Sequence, residues 1–146
     1  MRKLDELISR LKSFEDEIIK VIEQVVRENE AIILDMNAED QLFQKGITRK
    51  GVEIASFAPY APLTIEIKKM KGQPTSRVTL RDEGDFHRTF YIEYHADGFQ
   101  IKASDWKTED LMLRYGEEIL GLTDDNFHEF AVDYVKPALT ELVTKL

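Results

Sequence analysis

Leu4, Leu7, Ile8, Leu11, Phe14, Ile18, Ile22, Val25 and Val26 follow one another by steps dominated by three and four. That spacing puts them on one stripe of a helix. Glu6, Arg10, Glu17, Lys20 and Gln24 occupy the opposite face. Ile32, Ile33 and Met36 extend the stripe toward Phe43, so the first forty-odd residues predict one long helix or two joined helices. The stripe read this way drifts from a strict heptad. A core helix is therefore the expectation, with a coiled-coil arm as the alternative.

Gly46 and Gly51 interrupt the next stretch and predict a turn or a short irregular hairpin. Residues 61–72 alternate like a strand over 64–68. Pro62 nevertheless suits a first helical turn, Gly72 a helix end, and Lys68, Lys69 and Lys71 a helix C-terminus, so a helix is expected. Residues 76–80 read as a short strand, and 82–88 as a polar turn with room for one helical turn. Residues 90–103 contain Asp97-Gly98, a dipeptide suited to the centre of a two-residue hairpin. Centred there, the hairpin pairs Tyr94 with Ile101 and Ile92 with Ala103 on an apolar face, and Glu93 with Lys102 on a polar one. Thr108 is expected to cap a short helix ending at Gly116. Thr123 starts the last helix, with Asp124 and Asp125 in its first turn and a stripe of Phe127, Phe130, Ala131, Tyr134, Val135, Ala138, Leu142 and Leu146. Pro137, which lacks a backbone donor, predicts a kink. The fold class that follows is α+β: a small antiparallel sheet with a β-hairpin, packed by long N-terminal and C-terminal helices, in one domain over residues 1–146.

Composition narrows the function more than the fold. The chain has 28 acidic and 20 basic residues and a formal charge of −8. Such a surface repels nucleic acid in general, so no specific nucleic-acid binding is expected. The absence of cysteine removes disulfides, thiolate metal sites and a cysteine nucleophile, and fits a reducing compartment. The charged N-terminus is unlike a secretory signal, and the longest aliphatic run, residues 31–34, is too short to span a bilayer.

Candidate chemistry is sparse. His87 stands near Asp82, Glu83 and Asp85, but His87, His95 and His128 form no metal-binding spacing. A solvated turn is the expectation there, and neither a metal nor a cofactor. No phosphate-binding loop, nucleophile elbow or dinucleotide fingerprint occurs. Arg49 and Lys50 on a glycine-flanked turn, with Lys68, Lys69, Lys71 and Tyr60, form a basic group that reads first as a solvated helix end, with a small nucleic-acid patch as the sharper alternative. Trp106, after the hairpin, reads as a core or rim anchor, with an interface hot spot as the sharper alternative.

Three segments together resemble a known family. They are Gln41-Leu42-Phe43-Gln44-Lys45-Gly46-Ile47 followed by Tyr60, Thr64 and Lys68; Val78-Thr79-Leu80-Arg81-Asp82-Glu83-Gly84-Asp85-Phe86; and Ile119-Leu120-Gly121-Leu122-Thr123-Asp124-Asp125. In this order they resemble the head–tail joining and tail-completion proteins of tailed bacteriophages, the virion-morphogenesis group, over residues 41 to about 135. Glu83-Gly84 stands where many members carry Thr-Gly. The resemblance implies a non-enzymatic structural protein that forms a homo-oligomeric ring and contacts connector or tail-tube subunits, each subunit presenting two different faces. The N-terminal helix and the hairpin edge around Asp97 and Gly98 would be contact elements. Arg81, Asp82, Gly84, Asp85 and Phe86 mark the motif, and the negative surface would let DNA pass a lumen without sticking. The implied location is the cytoplasm of a bacterial host during assembly, with retention in the virion left open. Two rivals from other classes are an acidic cytosolic regulatory module that mimics DNA, and an enzyme with an unmotifed carboxylate site.

Overall fold

The computed structural model describes residues 2–145, so Leu146 of the expected C-terminal stripe lies outside the described residues. Its elements run in the order α1 (Arg2–Glu28), α2 (Glu30–Asp35) continued by π-helical turns (Met36–Lys45), a 3-10 turn (Ile54–Ser56), α3 (Pro62–Met70), α4 (Asp85–Arg88), β1 (Phe90–His95), β2 (Gly98–Ala103), α5 (Thr108–Tyr115), a second 3-10 turn (Glu117–Ile119), α6 (Asp124–Phe130), a π-helical turn (Ala131–Val135) and α7 (Lys136–Thr144). The class is α+β: mostly helix, with one two-stranded antiparallel hairpin and long helices at both ends. The chain forms two compact units, one from the stretches up to Asn29 and from His128 onward, the other from Glu30–Phe127.

In the first unit α1 packs on the π turn of residues 131–135 and on α7. Val25, Val26 and Phe130 are buried, and the Phe130 and Tyr134 rings stack with centroids 5.1 Å apart. Val21 belongs to the α1 stripe as well. With it, Leu4, Leu7, Leu11, Phe14, Ile18, Val21 and Val25 keep a strict alternation of three and four. The stripe is not core throughout. Phe14, Ile18, Val21 and Ile22 are half-buried, but Leu4, Leu7, Ile8 and Leu11 are 42–55% exposed. On the C-terminal helix, Phe127 lies bare and Asn126 takes the buried position beside it. A π turn over residues 131–135 precedes Pro137, which sits in the first turn of α7, where a missing donor is tolerated.

The second unit is centred on Ile33, Leu42, Ile54, Val78, Phe86, Phe90, Ile101, Ile119 and Leu120. Here polar side chains organise the packing. Asn37 and Gln41 are fully buried on the π segment. Asn37 Nδ2 donates to Ile119 O at 3.0 Å, and its Oδ1 accepts from Gly121 N at 2.8 Å. Gln41 Nε2 donates to Gly121 O at 2.8 Å, and its Oε1 accepts from Thr123 N and Asn126 Nδ2, both at 2.9 Å. Two amides thus satisfy the backbone of a segment some eighty residues away, as burial of peptide groups requires. Gly121 lies in this clasp with φ +127, where a Cβ would come 2.7 Å from Arg49 Cδ. Gly46 is equally constrained: φ is +63 and a Cβ would meet Val78 O at 2.9 Å. Past Gly46 the predicted irregular hairpin forms, with an Ile47–Glu53 bridge and Thr48 N donating to Val52 O.

The β-hairpin keeps the predicted faces but not the predicted register. Tyr94 pairs with Phe99, Ile92 with Ile101 and Phe90 with Ala103, so the turn is centred on Ala96-Asp97. Asp97 keeps a negative φ, which an Asp-Gly centre of the mirror-image turn type would not allow. A shift of two residues leaves every side chain on its face, which is why the pattern could not distinguish the two. Glu93 now faces Gln100, and Lys102 reaches its carboxylate diagonally at 2.7 Å. Packing on β1 comes from α2, and Tyr94 Oη donates to Glu30 Oε2 at 2.7 Å.

Residues 76–80 form no strand. Their polar groups pair with side chains and irregular backbone instead: Thr79 N donates to Tyr60 Oη at 3.0 Å, Arg77 Nε to Phe43 O at 2.6 Å, and Thr79 O accepts from His87. Thr108 is the first residue of α5 rather than its cap. Its hydroxyl donates back to Asp105 O, and the Asp105 carboxylate accepts from Lys107 N. Thr123 does cap α6, accepting from Asn126 N at 3.2 Å.

Candidate functional site

Two of the three motif segments meet at one cavity within the second unit. Pro62 starts α3 with Tyr60 just ahead of it, and the Tyr60 hydroxyl holds Thr79 N. This contact lays residues 79–83 along α3. Thr79 Oγ1 accepts from Arg81 N at 3.2 Å, and Leu80 between them has φ +56. Among the described residues it is the one non-glycine residue with positive φ, a conformation that costs a leucine about 1–3 kcal/mol. Gly84 is buried and opens α4, which carries Asp85 and Phe86. Phe86 packs edge-to-face on Phe90 with centroids 5.0 Å apart.

The cavity has a volume of about 370 Å³. Tyr60, Thr64 and Lys68 line one side, and residues 80–83 with Asp85 and Phe86 another. The third side is α5, through Lys107, Leu111, Arg114 and Tyr115. The motif residues Arg81, Asp82, Asp85 and Phe86 are therefore brought together, with Gly84 shaping the loop between them.

Lys68 is the informative residue. It is only 9% exposed, which overturns the expectation of a solvated helix end. Its ammonium lies 4.9 Å from the Tyr60 ring centre, 3.3 Å from Arg81 O and 3.4 Å from Gln73 Oε1. Arg81 rests over the Phe43 ring at 4.2 Å and bonds Glu39 at 3.2 Å. Asp82 is held by two groups. The Gln73 amide and then the Lys71 ammonium, at 2.9 Å, keep its carboxyl below the usual carboxylate range. Asp85 pairs with Arg88 at 3.2 Å. Burial pushes the Tyr115 hydroxyl above its ordinary pKa.

His87 is not on a solvated turn. Its Nε2 lies 3.1 Å from Thr79 O, so this nitrogen carries the proton, and Nδ1 is buried without a hydrogen-bond partner. Burial, then the nearby Arg81 charge, lowers its pKa to about 4. Among the described residues no group of three or more His, Asp or Glu side chains is placed to hold a metal ion. No helix among them is long and apolar enough to cross a membrane.

The remaining candidates lie elsewhere. Arg49 is structural: its backbone N donates to Glu118 O, and its guanidinium to Glu117 O and Leu120 O, which steadies the segment before Gly121. Lys50 is exposed on the turn beside it, and Asp97 and Gly98 are exposed at the hairpin tip. Trp106 is 81% exposed, so it is no core anchor, and the Lys107 ammonium lies 5.4 Å from its ring centre. The contribution of α5 to the cavity was missed from sequence. Its signal was the spacing of Lys107, Leu111, Arg114 and Tyr115, which share one helical face. Comparison with known proteins returned no match to a family model, a curated protein or a solved structure.

Proposed function

We propose that this chain is a non-enzymatic assembly protein of the phage head–tail joining or tail-completion kind, acting through ring-forming protein–protein contacts. The observation that carries this reading is the bare stripe Leu4, Leu7, Ile8 and Leu11 on α1. Such a run of large apolar groups costs free energy in water and is relieved by a partner surface. Trp106 and Leu113, 81% and 85% exposed, supply a second apolar face on the other unit. Two unlike faces are what a heterologous ring contact needs. Tryptophan is also among the side chains that dominate interface energetics. The three resembling segments give the reading its particular setting, since exposed apolar surface alone suits many assemblies.

The test is native mass measurement of the chain, alone and mixed with connector or tail-tube subunits. Discrete higher masses, lost when Leu4, Leu7 and Leu11 are all changed to serine while the helical circular dichroism persists, are the expected result. A chain that stays monomeric at high concentration and binds neither subunit overturns the reading. Binding to a basic protein that weakens steeply with salt would favour the DNA-mimic rival instead.

A further inference from the structure

We propose that the cavity between α3, residues 80–86 and α5 is a binding site for a small organic oxyanion, a flat molecule bearing a phosphate or a carboxylate. This inference stands independently of the assembly reading.

The argument begins with charge. Four cations line the cavity, Lys68, Arg81, Lys107 and Arg114, against three acids, Asp82, Glu83 and Asp85, in a chain whose formal charge is −8. Their partners sharpen the imbalance. Asp82 and Asp85 are neutralised by Lys71 and Arg88, neither of which lines the cavity, and Arg81 by Glu39, which does not line it either. Among the described residues, Lys68, Lys107 and Arg114 have no carboxylate within ion-pair distance. Three cations without a direct ion-pair partner therefore line the cavity with one remaining acid, Glu83.

Lys68 gives the imbalance its focus. An ammonium has three N–H donors, and its two hydrogen-bond acceptors here are neutral oxygens at 3.3 and 3.4 Å. Beyond these oxygens the ammonium meets only the Tyr60 ring face and the more distant charge of Asp82, with no carboxylate among the described residues in direct contact, so an oxyanion in the adjoining space would supply the missing direct partner of a largely buried lysine. Arg114 adds a fork-shaped donor set suited to phosphate or carboxylate. The apolar walls, Tyr60, Phe86, Leu111 and Tyr115, match a flat organic body, and about 370 Å³ lies within the range of small-ligand sites.

The experiment uses the full chain and follows backbone amide shifts during titration with phenyl phosphate, with benzoate and with uncharged phenol. The expected result is saturable shifts at Lys68, Arg81, Leu111 and Arg114 with one or both anions, at a dissociation constant of about 1 mM or tighter, and none with phenol. Whichever anion binds more tightly identifies the oxyanion. Lys68→Met and Arg114→Gln should each weaken binding about tenfold. Lys68→Met should also leave the melting temperature little changed, because it replaces a cation that has no direct ion-pair partner with an apolar chain of similar length. Arg114 is exposed, so Arg114→Gln keeps the test decisive if Lys68→Met fails to fold. Absence of shifts with both anions, equal shifts with phenol, or unaltered binding by Arg114→Gln would each overturn the proposal.

Discussion

The two units of this protein are built on different principles. The first rests on a periodic apolar stripe that meets its partner helix along only part of its length: Val25 and Val26 are buried, Leu4 and Leu11 are not. The second is held by particular polar contacts, the Asn37 and Gln41 amides clasping residues 119–126. A stripe tolerates variation wherever it is bare. A clasp does not, because each amide group lost leaves a buried backbone group unpaired. The first design leaves apolar side chains bare, and the second holds the segments that line a cavity.

Four substitutions or conditions would break or sharpen this contrast. Val25→Asp places a charge at a buried position of α1 and should cost about 4 kcal/mol or abolish folding, measured by urea denaturation. Gln41→Leu strands Gly121 O and Thr123 N, while Asn126 Nδ2 keeps Asp40, and should destabilise by about 3 kcal/mol in the same measurement even though it adds apolar surface.

Acid should also act on the second unit. His87 has a folded pKa of about 4, below the ordinary 6.5. Between those values the unfolded chain binds the proton and the folded chain does not, so stability rises with pH. The contribution is complete above pH 6.5 and lost as pH falls toward 4, by about 3 kcal/mol in all. His87→Gln, which keeps a donor for Thr79 O, should flatten the stability profile in that window. An unchanged slope would assign the acid sensitivity to carboxylates. The smallest effect is expected for Leu7→Asp in the unassembled chain at low concentration, under about 0.5 kcal/mol, because Leu7 is 53% exposed there. A loss comparable to that of Val25→Asp would mean that the first half of α1 is covered in solution.

The two helical ends were legible because their apolar positions repeat with the period of the backbone. The helix at Pro62, the turn at Gly46 and the Thr123 cap were legible because proline, glycine and threonine constrain or pair with adjacent peptide groups. The strand assigned to residues 76–80 failed for the complementary reason. Its alternation was real, but no partner strand lies there, and Tyr60, Phe43 and His87 pair with its polar groups instead. The hairpin register failed because a slip of two residues preserves both faces. Of the candidate site, the motif residues on α3 and the following loop were visible. The α5 wall and the burial of Lys68 were not, since a lysine near a helix end reads as solvated unless its neighbours are known.

The sequence by itself determined that helices stand at both ends and after Pro62, which faces of the hairpin are apolar, and that the chain carries a strong negative charge. These follow from interactions within a few residues, or from counting. Only the tertiary structure decided which part of the α1 stripe is covered, that Asn37 and Gln41 are buried, and that cations from α3 and α5 face one cavity. Burial depends on surfaces distant in the chain, and the same amide or ammonium has the same local pattern whether its partner is water or protein.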